Sequence, residues 1–269
     1  MSVTDFSIQI KEGTKKSHSA AENTSFVASF LRGVVNKESY RRLITDLYYV
    51  YSAMEEEIDE LQDHPIVGHI NLSDLNRVES LEKDLRYYYG PIWRSLIDPS
   101  ESCTQYVNRI REVAKDNPIL LVGHHYTRYL GDLSGGQILK GIAKKALKLK
   151  DDHGLQFYVF DNIPDAKAYK AGYRGVLNHL DLDQKQVDAI IEEANYAFKL
   201  NMDMFIRDNF EDIIRSVANQ YRSKGTEQVI NDIKNPSFDK DQKPAGTSKK
   251  SILEQVSEHI NGTKSFWQR

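Results

Sequence analysis

The chain has 269 residues, 40% of them hydrophobic and 28% charged, which is enough for one large domain or two small ones with a sizeable core. Its formal net charge of −3 gives no overall attraction to nucleic acid. A single cysteine, Cys103, excludes an intrachain disulfide and any cysteine-based zinc or iron–sulfur site. Because no apolar run is long enough for a membrane span and no signal-peptide core is found, we expect a reducing, cytoplasmic compartment and no membrane.

Apolar residues recur at helical spacing along most of the chain, which predicts an all-α, single-domain fold over residues 1–222. An extended segment is expected at 157–160. Beyond residue 222 the composition becomes polar and rich in helix breakers, so residues 223–269 are predicted to form a flexible tail with a short helix at 250–261. Helices are predicted over 5–22, 37–61, 73–89 (opened by Ser73), 102–116, 117–149, 165–179 and 184–220.

Four acids on the second predicted helix, Glu55, Glu56, Glu57 and Asp59, invite a di-iron interpretation. Ferritin-like di-iron sites need Glu-x-x-His pairs on facing helices. None of the eight histidines has a glutamate three residues upstream. We therefore interpret these acids as a solvent-exposed helix face.

Three glycines, Gly131, Gly135 and Gly136, interrupt the helix predicted over 117–149, and each disfavours a helix interior by roughly 1 kcal/mol relative to alanine. Asp132 and Ser134 lie among them. A kinked helix without side chains on one face would let a flat ligand approach the main chain. Glycines also mark tight helix–helix crossings, and the spacing alone leaves both interpretations open.

His18 ends a stripe on the first predicted helix that begins with Phe6, Ile10 and Thr14. Glu22 follows one turn later, where its carboxylate could accept a hydrogen bond from the imidazole and fix the tautomer of a metal-bound ring. Histidine–glutamate pairs at this spacing are also common on surfaces. The residues alone therefore allow either a ligand or a surface pair.

Three stretches closely resemble the heme oxygenases, especially the soluble cyanobacterial and algal type: YTRYLGDLSGGQ at 126–137, KEGTKKSHSAAEN at 11–23 and LYYVYSAMEEEI at 47–58. The resemblance runs in one register from about residue 7 to 215. It implies that heme b is both cofactor and substrate, held between the first helix and the kinked glycine helix. It further implies cleavage at the α-meso carbon with O₂ and electrons from ferredoxin, giving biliverdin IXα, CO and ferrous iron for bilin pigment synthesis.

The resemblance also assigns roles to individual residues. His18 matches the proximal iron ligand, and Glu22 matches its hydrogen-bonding partner. Asp132 matches the distal acid that organises waters near bound oxygen; its expected neighbours in catalysis are Tyr51, Arg128, Gly131, Gly135 and Asn201. Propionate-side cofactor contacts are expected at Lys11, Lys15, Tyr126, Lys170 and Arg174, and further heme contacts at Ser134, Gly136 and Phe198.

Electrons must come from a partner, because no motif for a flavin or nicotinamide is present. Lys140, Lys144 and Lys148 form a basic stripe that could dock an acidic ferredoxin, although such stripes are more often simply solvated. A monomer is expected, in the cytoplasm or in the stroma of a plastid, with a bilin reductase as a further candidate partner. The alternatives are a heme or bilin carrier that has the same fold but no turnover, and a helical protein without a ligand.

Overall fold

The structure is a computed structural model that describes residues 5–22 and 37–221, with side chains described as far as residue 204. The chain divides into two compact units, Met1–Ser216 and Val217–Arg269. The second unit lies almost wholly outside the described residues, as do the tail predicted over 223–269 and its helix over 250–261. The domain boundary after residue 222 therefore stays a prediction.

Eight α-helices contain most of the described residues, and none of these residues lies in a β-strand, so the predicted all-α fold is confirmed. Within the described ranges no helix is long and apolar enough to cross a membrane. The helices are α1 (Phe6–Glu22), α2 (Lys37–Glu60), α3 (Val78–Tyr89), α4 (Glu101–Asp116), α5 (Leu121–Asp132), α6 (Gly135–Ala146), α7 (Ala166–Asn178) and α8 (Gln184–Tyr221). Short 3₁₀-helices lie at Val67–Ile70, Ser73–Leu75, Trp93–Ser95, Pro118–Leu120 and Gln156–Tyr158.

Helix α2 packs against α3, α4 and α5 and supplies much of the core. Its apolar stripe is buried, as the period of the sequence predicts: Leu43, Leu47, Val50, Met54 and Ile58. Tyr51 lies on the same helix and is fully buried, so α2 places a polar hydroxyl in the interior of the fold.

Helix α3 begins at Val78 and not at Ser73, so the helix predicted over 73–89 is divided. The backbone leaves the helical region at Asn76, where ψ is 134°. The N–H groups of Arg77 and Val78 donate to Glu55 Oε1 of α2, over 2.5 and 3.3 Å. A carboxylate satisfies the unpaired N–H groups and complements the dipole at a helix start, so the capping group comes from another helix.

The segment predicted to be extended at 157–160 contains a 3₁₀ turn instead, Gln156–Tyr158, which is followed by extended backbone at Val159. The buried carboxylate of Asp84 explains the turn, because it accepts the N–H groups of Gln156 and Phe157, each over 2.8 Å. A short apolar run does not show in sequence that its backbone donors are bound by a residue far away in the chain.

Helices α5 and α8 touch through their backbones at Gly123. A Cβ added at Gly123 would lie 2.9 Å from both Ala194 N and Ile190 O. Real Cβ atoms almost never approach backbone atoms this closely, so only glycine fits without moving one helix. The crossing sets the distance between α5 and α8.

Glu193 of α8 fixes the same crossing by joining three helices. Its carboxylate accepts Arg109 Nε and Nη2 of α4 over 2.9 and 2.6 Å, and its Oε1 lies 2.9 Å from His124 Nε2 of α5. Burial raises the pKa of Glu193, but hydrogen bonds from Arg109 and His124 outweigh burial and hold the pKa at about 2. The carboxylate therefore stays ionised over the physiological pH range.

We expect the substitution Gly123→Ala to destabilise the protein by about 1–3 kcal/mol, because α5 and α8 must separate to admit the methyl group. Gly141→Ala is the matched control: it lies inside α6 with nothing within 4 Å of its added Cβ. The control should gain about 0.5–1 kcal/mol from helix propensity. Urea unfolding of the two variants measures the difference, and equal stabilisation of both would contradict the close crossing.

Candidate functional site

The glycine segment forms two helices and not the single kinked helix predicted over 117–149. Helix α5 ends at Asp132 and α6 begins at Gly135, and between them Ser134 has φ −116° and ψ −90°. Lys170 of α7 holds this break, since its Nζ donates to Ser134 Oγ over 2.9 Å and to the Leu133 carbonyl oxygen over 3.5 Å. The chain therefore turns beside two glycines and is fastened by a lysine from another helix.

The three glycines serve different purposes. A Cβ added at Gly131 or Gly135 would meet nothing within 4 Å, so these two positions leave an open side on the helix pair. A Cβ at Gly136 would lie 3.5 Å from Tyr158 Cδ1 and 3.8 Å from Asp132 Cβ, which is ordinary packing. The open-face interpretation suits Gly131 and Gly135, and the packing interpretation suits Gly136.

Four residues expected on the distal side form one buried cluster. The Tyr51 hydroxyl donates to Asp132 Oδ2. Arg128 Nε donates to the Tyr51 oxygen over 3.0 Å, its Nη1 to Asn201 Oδ1 over 2.7 Å, and its Nη2 to Asp132 Oδ1 over 3.4 Å. The guanidinium therefore holds side chains from α2, α5 and α8 in one geometry.

Burial controls the electrostatics of this cluster. Asp132 is 6% exposed, and burial raises its pKa although the Arg128 charge and the Tyr51 hydroxyl oppose the shift. Burial also raises the pKa of Tyr51 well above its usual value, so Tyr51 remains a hydroxyl donor. A buried carboxyl group whose pKa is raised holds a proton more readily than an exposed one, which suits a group that donates and accepts protons.

Tyr106 of α4 adds a fifth residue to this cluster, and sequence reasoning did not find it. Asn201 Nδ2 donates to the Tyr106 hydroxyl of α4 over 3.3 Å and to the Ala197 carbonyl over 2.8 Å. Tyr106 is fully buried. In sequence it is one aromatic residue on the apolar stripe of a helix, so its hydroxyl gives no sign that it faces a polar neighbour.

The interpretation of the acids on α2 as a solvent-exposed face is wrong for Glu55. It is not part of a solvated face, because its carboxylate accepts the N–H groups that begin α3 and the Tyr129 hydroxyl over 3.2 Å. Burial raises its pKa to about 7, although the N–H of Arg77 and the Tyr129 hydroxyl lower it. The pattern of acids at 55–59 could not separate Glu55 from its exposed neighbour Glu56.

His18 lies on the exposed side of α1, beside Glu22. Its Nδ1 is 3.6 Å from Glu22 Oε2, and its side chain is 55% exposed. The ring meets Phe198 of α8 edge-on, with centroids 5.8 Å apart. The 3.6 Å separation is longer than a hydrogen bond, but the nearby carboxylate favours a proton on Nδ1 and so leaves Nε2 as the nitrogen that can bind a metal.

Helix α8 connects the His18 side with the Asp132 side. Phe198 contacts His18, and Asn201, one turn further along α8, bonds to Arg128 in the buried cluster. Helix α1 is fixed to α8 by the Ser17 hydroxyl, which donates to Asn195 Oδ1 over 2.6 Å. The histidine and the acid cluster therefore face the same stretch of α8 from α1 and α5.

The expected propionate-side residues lie on neighbouring helices but differ in environment. Helices α1 and α7 are joined where Ser7 N donates to Asn178 Oδ1 over 2.9 Å. Lys15 is exposed and 3.9 Å from Glu12, whereas Lys170 is engaged at the α5–α6 break. Two further expected residues, Lys11 and Arg174, are exposed, and Tyr126 is partly buried, with its pKa raised by burial against the effects of Thr14 and Arg174.

The basic stripe on α6 is partly neutralised. Lys140 Nζ and Lys144 Nζ each lie 2.8 Å from a carboxylate oxygen of Asp152. Hydrogen bonds from these lysines hold the pKa of Asp152 at about 2. Lys148 follows the helix with a positive φ of 55° and is exposed, so the stripe does not continue at regular helical spacing to its end.

The comparison with known proteins agrees with this geometry. The heme oxygenase family model matches residues 4–207. The heme oxygenase of Porphyra purpurea is 54% identical over 203 residues, covering 76% of this chain and 86% of the relative. Heme oxygenase 1 of Synechocystis sp. is 56% identical over 197 residues, covering 73% of this chain and 82% of the relative.

Solved structures give the same result. The crystal structure of heme oxygenase-1 from Synechocystis in complex with heme superposes with a TM-score of 0.78 at 50% identity, covering 82% of this chain and 99% of that one. Heme oxygenase-2 from Synechocystis, in complex with heme and NO, gives a TM-score of 0.77 at 43% identity, with coverages of 80% and 88%. The chain belongs to the heme oxygenase family.

Proposed function

We propose that this heme oxygenase opens heme at the α-meso carbon, using O₂ and electrons from ferredoxin, and releases biliverdin IXα, CO and ferrous iron. One observation carries the proposal: a buried carboxyl, Asp132, is held by Tyr51 and Arg128 directly beside the open side left by Gly131 and Gly135. A carrier needs the open side but has no need for a buried acid.

The residues present fit a heme group. A flat macrocycle needs an axial nitrogen, an open face and cations for two propionates. His18 offers its Nε2, and a Cβ at Gly131 or Gly135 would meet nothing, so the helix pair has room on that side. Exposed Lys11, Lys15 and Arg174 provide the cations.

His18 would bind the iron, and Glu22 would keep its ring in place. A carboxylate 3.6 Å from Nδ1 favours the tautomer with the proton on Nδ1, which leaves the Nε2 lone pair for the metal. Phe198 meets the ring edge-on and limits its rotation. The α1–α8 hydrogen bond at Ser17 holds this histidine close to the part of α8 that carries Asn201.

Bound heme supplies the iron at which O₂ is reduced and is also the molecule that is oxidised. Asp132 holds and moves a proton at its carboxylate oxygens, directly or through water. The Tyr51 hydroxyl and the Arg128 guanidinium fix the direction of those oxygens. Proton transfer is thereby restricted to one side of the substrate.

The choice of ring edge would come from two sides of the site. The backbone at Gly131 and Gly135 would limit the space beside a bound iron, and the exposed cations of α1 and α7 would orient the propionates. Lys170 contributes from the break itself, where it already binds Ser134. A bilin carrier of the same fold remains the second candidate, and turnover separates the two.

The direct test mixes purified protein with hemin, reduced ferredoxin and air, while absorbance is followed and any bilin is identified by chromatography. Loss of the Soret band with formation of biliverdin IXα supports the proposal. A stable Soret band under an active electron supply supports the carrier. A different biliverdin isomer would mean that the propionate contacts are wrongly assigned.

We expect His18→Ala to lose the axial bond, which should change the Soret band of bound heme and reduce turnover by at least about 100-fold, a magnitude typical of losing an essential group. Fold integrity is checked by circular dichroism, because His18 is exposed and its loss should not unfold α1. An unchanged heme spectrum together with normal turnover would refute the assignment.

Asp132→Asn should leave heme binding nearly intact while slowing ring opening by about 100-fold or more, because an amide accepts hydrogen bonds but does not transfer the proton. Heme affinity is measured by titration, and turnover by biliverdin yield. Full biliverdin yield at the wild-type rate would argue against a proton role for Asp132.

For ferredoxin, we propose docking on the basic surface around Lys148. Lys148→Glu should slow reduction several-fold at low salt, and Asp152→Asn should accelerate it, because removing that carboxylate frees the charges of Lys140 and Lys144. Lys185→Glu, an exposed position on α8, is the matched control. Identical salt-dependent rates in all variants would exclude this surface.

A further inference from the structure

A polar cleft opens beside α2 and the start of α3. Its volume is about 510 Å³. Carboxylates and amides dominate its lining: Glu55, Glu56, Asp59, Glu82, Asn71 and Asn76. A cleft of this size and polarity holds water in contact with these groups.

Glu55 connects the cleft with the interior. It lines the cleft, yet its carboxylate accepts the hydroxyl of Tyr129 over 3.2 Å, and Tyr129 is 1% exposed. The two backbone N–H groups that begin α3 hold the same carboxylate in place. One side chain therefore meets water on one side and a buried hydroxyl on the other.

The buried side leads to Asp132. The Tyr129 ring contacts the Tyr51 ring edge-on, with centroids 5.4 Å apart, and the Tyr51 hydroxyl donates to Asp132. Arg77 lies in the same interior: its Nε donates to the Leu75 carbonyl over 2.8 Å. Its charge lowers the pKa of both Glu55 and Asp132, so both carboxyls lie within its field.

We propose that Glu55 takes up protons from water in this cleft and passes them through Tyr129 and Tyr51 to Asp132. The inference rests on the proposed function, since ring opening consumes protons as ferredoxin supplies electrons for the reduction of O₂. Glu55 gives its proton to the Tyr129 oxygen while the Tyr129 proton moves on. A water bridging the two tyrosine hydroxyls would carry it to Tyr51, which would pass its own proton to Asp132 and be restored. Glu55 is then reprotonated from the cleft.

The charges around Glu55 suit this role. Burial raises the pKa of Glu55 to about 7, so the protonated and the ionised carboxyl are both populated near neutral pH. Glu56 and Asp59 of α2 and Glu82 of α3 also line the cleft, and none of them is among the groups that shift the pKa of Glu55. Arg77 and the Tyr129 hydroxyl favour it. As pH rises through about 7, the protonated form declines, so proton supply should fall.

The test uses Glu55→Gln, whose amide oxygen still accepts the N–H groups of α3 but which cannot carry the proton. Glu56→Gln is the matched control, one residue away and exposed on the same cleft. With ferredoxin and O₂, we expect Glu55→Gln to turn over about tenfold more slowly and to lose the decline in rate above neutral pH. Its solvent deuterium isotope effect should increase. Glu56→Gln should match wild type in each respect.

Two further measurements separate proton supply from damage to the site. Hydrogen peroxide is already reduced and protonated, so with peroxide the Glu55→Gln variant should degrade bound heme at the wild-type rate. A variant whose site is distorted would be slow both with peroxide and with O₂ and ferredoxin. Tyr129→Phe should repeat the Glu55→Gln pattern, since it removes only the hydroxyl that links Glu55 to the interior.

Infrared titration of the heme-free protein tests Glu55 without turnover. Wild type and Glu56→Gln should share a protonated-carboxyl band that titrates near pH 7 and shifts in D₂O, and Glu55→Gln should lack it. Subtraction identifies the band, because burial also raises the pKa of Asp84 to about 7. If wild type is active and Glu55→Gln matches it in rate, pH profile and isotope effect, the proton route through Glu55 is overturned. An inactive wild type would instead refute the proposed function.

Discussion

The close crossing of α5 and α8 at Gly123 is the contact on which the site depends. Because the two backbones touch there, one stripe of α8 runs from Ile190 and Ala194 at the crossing to Phe198 and Asn201 further along. Phe198 meets His18, and Asn201 reaches Arg128. A wider crossing would withdraw both side chains together, so the histidine and the acid cluster are placed by the same packing.

The break between α5 and α6 adds the second constraint. Asp132 is the last residue of α5, so its carboxylate points into the core while the chain turns immediately afterwards. Gly131 and Gly135 keep the outer side open, and Lys170 holds the turn from α7. Because the helix ends at Asp132, the segment 131–135 can bury this acid and still leave the backbone of Gly131 and Gly135 open.

Helix periodicity predicts most of the fold, because the buried stripes of α2, α4 and α8 follow it directly. The motif resemblance named Tyr51, Arg128, Asp132 and Asn201, and the structure brings them together. What the sequence could not indicate are bonds between distant residues. Asp84 shapes the turn at 156–158, Lys170 fastens the helix break, and Tyr106 receives Asn201. Each is an ordinary helix residue until its partner is known.

Glu55 shows why the same chemistry looks different in sequence and in structure. Among the acids of α2 it has the same local surroundings as Glu56, and only the packing of α3 and α5 against α2 distinguishes the two. That packing gives Glu55 three donors and removes most of its water, so its carboxyl stabilises the start of α3 and titrates near neutral pH. A helix cap and a protonatable group are thus one side chain, and the stability of α3 and the protonation of Glu55 are linked. Protonating Glu55 weakens its hydrogen bonds to the N–H groups but removes the larger cost of burying its charge, because the pKa is raised to about 7. The fold therefore loses stability as the pH rises through about 7, although the cap bonds become stronger.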